Sequence, residues 1–518
     1  MQQYQRHVNT RATPQTEPLE GQEQNNAGGY SYKINKWQQL DRFLILGAEG
    51  GTYYVNERDL TKQNAAGVKA CIVDDGPRAV ARIAEVSDKG LAPKNDPALF
   101  ALAMCSALGD LRTKQAAYEA LPKVARIGTH LFHFMEYRKA FGGRGAGFRR
   151  AVCRWYASKT TDQLAYDMVK YRQRDGWSQR DVLRLVHPAH QPVFRWAAGK
   201  PVEEAMPQVI QDFEAVQADG ANWRTMLDVV KRLLREALPT EWLKEAAVWD
   251  ALLSDMPLTA MIRNLGNMGK VGLLTPMSDA TRTVVGKLVD QVALRKARIH
   301  PIAVLLAERT YGGGHGYLRR GEWPVVPAVV DALDDAFYKT FLNVDPTGKR
   351  FLLGVDISGS MSRRNVAGTP LTPREAAAAM TMLAVQTEVN VQPMAFCTDF
   401  VEMPLSKKQR LDDVIRYTEL LPMGDTDCSL PMQYAVKHKI PVDCFIVYTD
   451  SDTWAGKIHP TQALKMYRDS MGFPSKLIVV GMVANEFSIA DPNDAGMLDV
   501  VGFNVNVPDV MRQFVMQD

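Results

Sequence analysis

In one stretch of this 518-residue chain, three short oxygen-bearing side chains recur at every second position. Asp356, Ser358 and Ser360 follow the apolar run Phe351-Leu352-Leu353-Gly354-Val355. A buried strand ending at Asp356 would offer these oxygens to one point at its carboxyl end, where open α/β sheets bind ligands. Hard divalent cations take oxygen ligands of this sort. Two later segments add what the loop lacks. Met423-Gly424-Asp425-Thr426-Asp427 is a polar loop with a hydroxyl, and Asp443 to Asp450 is a second apolar strand ending in an acid. A plain turn also favours Asp and Ser, and the five-residue pattern alone would suit one. The strand before it and the two ordered pieces after it favour a metal. An enzymatic rival would make Asp356 a phosphatase nucleophile. That chemistry wants a second acid two residues on, where Ser358 stands.

D-x-S-x-S, then a loop Thr, then a strand-end Asp resembles the metal-ion-dependent adhesion site of von Willebrand factor A domains. The resemblance implies that Ser358, Ser360 and Thr426 touch the cation, with Asp356 and Asp450 acting directly or through water. The implied cation is Mg²⁺, with Mn²⁺ or Ca²⁺ as alternatives. Its open position would receive an acidic group from a protein ligand.

A second cluster suits phosphate rather than metal. Lys170 and Arg174 are four apart, which predicts one helical face. Gly176 would stop that helix, and Ser178 would cap the next. Arg180 would then lie in a first turn, where backbone N–H groups also favour anions. His187 closes this second helix. Arg172 should point elsewhere. Arg126, Arg138 and Lys139 flank the Thr129-His130 loop and would extend a basic track. Composition alone would make all of this a solvated face. His130/His133 and His187/His190 are H-x-x-H pairs, but no third or fourth zinc ligand is evident, so His130 and His187 are left to RNA contact or core packing. The glycine-rich stretches 142–147 and 311–315 lack dinucleotide or P-loop spacing and read as loops, with Arg144 a possible RNA contact. No nucleotide hydrolysis is supported.

The elements that must hold these groups differ along the chain. Residues 1–30 are rich in Gln, Asn, Thr, Pro and Gly and read as a flexible arm. From 31 to 345 the periodicity is helical: 96–111, 114–121, 146–157, 162–174, 181–186, 201–217, 223–237, 242–254 and 281–294. So long a helical region, about 280 residues, suits stacked HEAT-type pairs, though no clean repeat period is visible. From 346 to 518 strands alternate with helices, which predicts a parallel α/β sheet. Its remaining elements are expected at 374–388, 391–396, 412–420, 477–482, 503–507 (a strand) and 510–516. Residues 346–518 hold 16 Lys and Arg against 20 Asp and Glu, whereas 1–345 hold 46 against 38. The basic excess and the metal motif therefore lie in different domains, and a basic body suits an anionic partner. The six Cys form no C-x-x-C pair, no apolar run nears a membrane span, and the first residues lack a secretory h-region. These features predict a cytoplasmic protein without a membrane partner.

Several longer stretches carry a family resemblance: Arg42–Tyr54, Ile127–Phe132, Lys170–His187, Met256–Gly266, Ala297–Pro301 and Ala332–Phe341. Together they resemble the TROVE module of the 60-kDa Ro autoantigen family. With the A domain behind it the resemblance covers 35–518, in the manner of a bacterial orthologue. It implies a ring of HEAT-type helical repeats closed by the A domain, and a non-catalytic role in noncoding-RNA quality control. Y RNA would bind the outer basic surface, through Lys170, Arg174 and His187 above all. Single-stranded 3′ ends of misfolded or decaying RNA would enter the central hole. A 3′ exoribonuclease such as polynucleotide phosphorylase would be recruited through the Y RNA.

Overall fold

The computed structural model describes residues 12–516, apart from 26, 34, 47–64, 93, 143–144, 175, 202–205, 317–320, 363–364, 367–368, 423, 483–486, 504 and 506. The chain divides into two compact units. One is formed by residues 1–55 with 344–518, the other by 56–343.

The second unit is helical. Its first helices are Ala66–Asp88, Asp96–Leu108, Leu111–Val124, Gly128–Ala140, Ala146–Ala157 and Thr161–Lys170. Asp96–Leu108 is apolar almost all round and is buried from Asp96 to Ser106, as a helix enclosed by others must be. It packs on its neighbours on both sides, including Gly128–Ala140. The capping boxes expected at Thr160/Gln163 and Ser178/Asp181 are both formed.

Several long periods break where local chemistry intervenes. The helix expected over 162–174 stops at Lys170, and Gln173–Arg174 pairs instead with Trp177–Ser178 in a small antiparallel ribbon. The expected 201–217 helix starts only at Gln208, behind Pro207. The expected 223–237 helix is a turn, the six-residue helix Leu227–Arg232, and a second turn. The expected 281–294 helix is cut at Asp290, whose carboxylate accepts from the Val292 and Ala293 N–H groups and restarts the chain.

The first unit is a six-stranded sheet in the order 497–501, 476–481, 444–449, 350–356, 390–396, 400–402. All neighbours are parallel except the last, an antiparallel edge. Arg350–Asp356 lies in the middle, buried from Phe351 to Asp356. A Cβ on Gly354 would come 2.7 Å from Pro431 Cγ, so glycine lets the covering helix approach. Thr372 and Glu375 form the expected capping box on Pro373–Thr387. The strand expected at 503–507 is instead Met497–Val501, and Val507 opens the last helix. Among the described residues, no helix is long and apolar enough to cross a membrane.

The amino-terminal residues differ most from expectation. Residues 12–30 are not a free arm and the helix 36–46 does not belong to the helical unit; both pack into the sheet unit. Gln22–Gln24 and Tyr30–Lys33 form a small antiparallel sheet with Phe487–Ser488. In the following helix, Lys36–Leu46, Arg42 binds the Phe487 carbonyl at 3.1 Å and Asp499 at 3.0 Å. The two ion-pair side chains are only 4% and 7% exposed. Removing one partner of a buried pair strands the other charge. Arg42→Ala is therefore expected to destabilise this unit by about 3–5 kcal/mol, measured by chemical denaturation; a loss under about 1 kcal/mol would show the pair to be solvated.

Candidate functional site

Asp356, Ser358 and Ser360 lie together at the carboxyl end of the central strand. Asp356 is fully buried at the end of the central strand. Its Oδ1 accepts from the Ser358 N–H at 2.8 Å, and its Oδ2 from the Thr449 hydroxyl at 2.7 Å. Ser358 Oγ lies 3.1 Å from Ser360 Oγ; Ser358 is buried and Ser360 exposed. Asp450 is buried, with its Oδ1 accepting from the Asp452 N–H at 3.2 Å. Burial, followed by the charge of Asp450, pushes the Asp356 carboxyl well above the usual carboxylate range. Thr426 is buried, and its carbonyl accepts from the Trp454 and Ala455 N–H groups at 3.0 and 3.1 Å. The loop bearing Thr426 is thereby tied to the loop that follows Asp450.

These donors fit a hard divalent cation. All five predicted ligands present oxygen, and burial and the charge of Asp450 raise the Asp356 carboxyl. Two supporting residues escaped the sequence reading. Thr449 was hidden in an apolar strand. Arg374 is buried on the helix behind the loop and donates to the Ile357 carbonyl at 2.8 Å.

The basic cluster is built differently from the single helical face expected of it. Lys170 ends its helix, and its Nζ donates to the Tyr166 hydroxyl at 3.0 Å. The same ammonium lies 5.1 Å from the Tyr166 ring centre and 5.4 Å from that of Tyr171. Arg174 is exposed on the ribbon, beyond the helix. Gly176, at φ +81°, makes the ribbon turn rather than the helix stop. Trp177 donates to Glu136 at 2.8 Å, fastening the ribbon to Gly128–Ala140. Arg180 is exposed in the first turn of Gln179–Val186, and exposed His187 ends that helix in the left-handed region at φ +50°. Arg172 lies over the Phe213 ring at 5.3 Å.

Comparison with known proteins gives two domain matches. Residues 350–515 match the Ro60 vWA domain, and residues 23–226 and 225–311 match the TROVE domain. The RNA-binding protein RO60 of Deinococcus radiodurans is 42% identical, with 98% of each chain covered. The chain belongs to the Ro60 family. The RNA-binding protein RO60 of Caenorhabditis elegans is 34% identical over 96% of this chain and 90% of its own. The crystal structure of the Deinococcus radiodurans RO (RSR) protein superposes with a TM-score of 0.76 at 40% identity, covering 93% of this chain and 99% of that one.

Within this family member, three of the expected basic contacts look inward or are engaged. Arg138 is buried and donates to the Gly142 carbonyl at the end of its own helix. Lys139 is exposed and lies 3.5 Å from Glu136. Arg126 binds the Ser87 carbonyl. His130 is half-buried, 3.2 Å from Asn95 Nδ2, and burial pushes its pKa down to about 4. It is therefore a neutral, packed side chain at ordinary pH. His133 pairs with Asp96 at 2.6 Å. Among the described residues, no cluster of three or more His, Cys, Asp or Glu could hold a metal, so neither H-x-x-H pair gains ligands. Arg144 lies outside the described residues. Tyr166 and Tyr171 were missed; their spacing to Lys170 was the available signal.

The neutral histidines set a pH dependence. Burial also pushes His300 to about 4 and lowers His459. In the unfolded chain each takes up a proton near pH 6.5. Their contribution to stability is full above that value and is lost as pH falls toward about 4. Denaturation midpoints are expected to drop between pH 7 and 5, and His130→Gln should flatten the slope. A flat profile in the parent protein would show that these groups titrate normally in the fold.

Proposed function

We propose that this protein is a non-catalytic RNA-binding protein of noncoding-RNA quality control. The observation that carries this reading is the 42% identity, across 98% of both chains, to an RNA-binding protein RO60. The half-buried Lys170 and the exposed groups beside it on 166–187 support it. Lys170, Arg174, Arg180 and His187 provide positive charge and N–H donors for phosphate, as position-setting contacts to RNA do. Tyr166 is 39% exposed beside Lys170 and offers a ring for an unpaired base. Y RNA is the ligand proposed for this face. Single-stranded 3′ ends of misfolded or decaying RNA are proposed for the hole of a helical-repeat ring, with a 3′ exoribonuclease recruited through the Y RNA in the cytoplasm.

In the sheet unit, Ser358, Ser360 and Thr426 would hold one divalent cation, Mg²⁺ above Mn²⁺ or Ca²⁺, with Asp356 and Asp450 balancing its charge. Bound there, the cation would supply a Lewis-acidic position for an acidic group of a protein partner.

Sequencing the RNA that co-purifies with the native protein tests the reading. One or two abundant small RNAs should be recovered, and lost with the Lys170→Ala/Arg174→Ala/His187→Ala variant. Absence of enriched RNA from both would favour a protein-binding scaffold. In salt titrations, Lys170→Ala and Arg174→Ala should each reduce the slope of log affinity against log salt by about 1. Tyr166→Ala should lower affinity by about 1–3 kcal/mol per stacked base with the slope unchanged. Equal slopes for all three variants would remove Lys170 and Arg174 from the phosphate contacts.

A further inference from the structure

We infer that residues 12–33 are a built-in brace of the cation site, with Gln15 as its positioning residue. The inference rests on the cation reading above and adds a part of the chain that the motif does not contain. Gln15 is fully buried, 412 residues in sequence from Asp427. Its Nε2 donates to Asp427 Oδ1 at 2.8 Å and to the Ile458 carbonyl at 2.9 Å. Its Oε1 accepts from the Thr453 hydroxyl. That same hydroxyl accepts from the Cys428 N–H at 3.1 Å and lies 3.2 Å from the Thr426 carbonyl. One amide thus joins the loop carrying Thr426 to the loop that follows Asp450.

Neighbouring contacts repeat the pattern. The Gln15 N–H donates to the Gly456 carbonyl at 2.8 Å. Asn25 Nδ2 donates to the Thr453 carbonyl at 2.8 Å, and the Ser31 hydroxyl to that of Ser451 at 3.3 Å. Two glycines make room for this approach. A Cβ on Gly29 would fall 2.2 Å from the Thr453 carbonyl oxygen and 2.7 Å from Trp454 Cα. A Cβ on Gly456 would fall 2.2 Å from Gln15 Nε2 and 2.4 Å from Asp427 Oδ1. The brace therefore touches Asp427 and Ser451, the residues next to Thr426 and Asp450. Groups that orient ligands from behind commonly set metal affinity by about 10–100-fold.

The test is Mn²⁺ titration of the full-length protein by calorimetry, well below its unfolding temperature. The variants are Gln15→Ala and Gly29→Ala. Tyr467→Phe is the control: it removes hydroxyl contacts to the Val442 N–H and the Ile440 carbonyl, just before the strand Cys444–Thr449 and at the end away from Asp450. The parent should bind Mn²⁺. Both brace variants should bind about 10–100-fold more weakly, while the control keeps parental affinity despite its lost hydrogen bonds. A folded Gln15→Ala with parental affinity overturns the brace and leaves the cation site standing. Where Gln15→Ala does not fold, Gly29→Ala decides in the same way. Equal weakening in the Tyr467→Phe control reduces the effect to general destabilisation and also overturns the brace. A parent that takes up no Mn²⁺ overturns the cation reading and the brace with it.

Discussion

A carboxylate without solvent is the constraint around which the sheet unit is arranged. Asp356 ends the central strand at zero exposure. Isolated ionised carboxylates are costly to bury, and this one has a second acid, Asp450, as neighbour. The protein answers with hydroxyl and amide donors. Thr449 and the Ser358 backbone hold the two Asp356 oxygens. Arg374 fixes the carbonyls of the loop that follows. These contacts shape the loop, and the Arg374 guanidinium adds a positive charge that acts on Asp356. The cation proposed for this site would add a second positive charge beside Asp356.

The same unit shows how far apart in sequence the parts of one site can lie. Its central strand starts near residue 350, but Gln15 and Asn25 reach the loops at its carboxyl end. The small sheet of 22–24, 30–33 and 487–488 and the buried Arg42–Asp499 pair hold this amino-terminal segment along the sheet unit. A segment rich in Gln and Asn suits disorder when judged by composition, because it buries little apolar surface. Here its amides work as hydrogen-bonding groups in a buried setting, where each satisfied donor or acceptor matters more than in water.

The basic cluster rests on another balance. A free loop would scatter the charges of Lys170, Arg174, Arg180 and His187. The ribbon at 173–178, tied to Glu136 through Trp177, and the capping box at Ser178 hold them between two helix ends. The left-handed backbone of His187 ends the second helix at the residue the family resemblance singles out. Lys170 is additionally bordered by two tyrosine rings. Charge and aromatic surface therefore stand side by side, the combination that single-stranded nucleic acid exploits.

The sequence by itself determined the central strand and its Asp356-Ser358-Ser360 ending, the parallel sheet, the helical body, the capping boxes and the family. Each of these depends on local spacing: period two or 3.6, a cap three residues from its partner, or a motif in fixed order. The change of period near residue 345 was legible too, but not that the amino-terminal residues belong with the sheet. Tertiary structure decided the rest. It turned the amino-terminal arm into part of the sheet unit and placed Arg138 inside. Burial and hydrogen bonding between residues distant in sequence leave no periodic trace, and a polar side chain reads the same whether it faces water or a buried carboxylate.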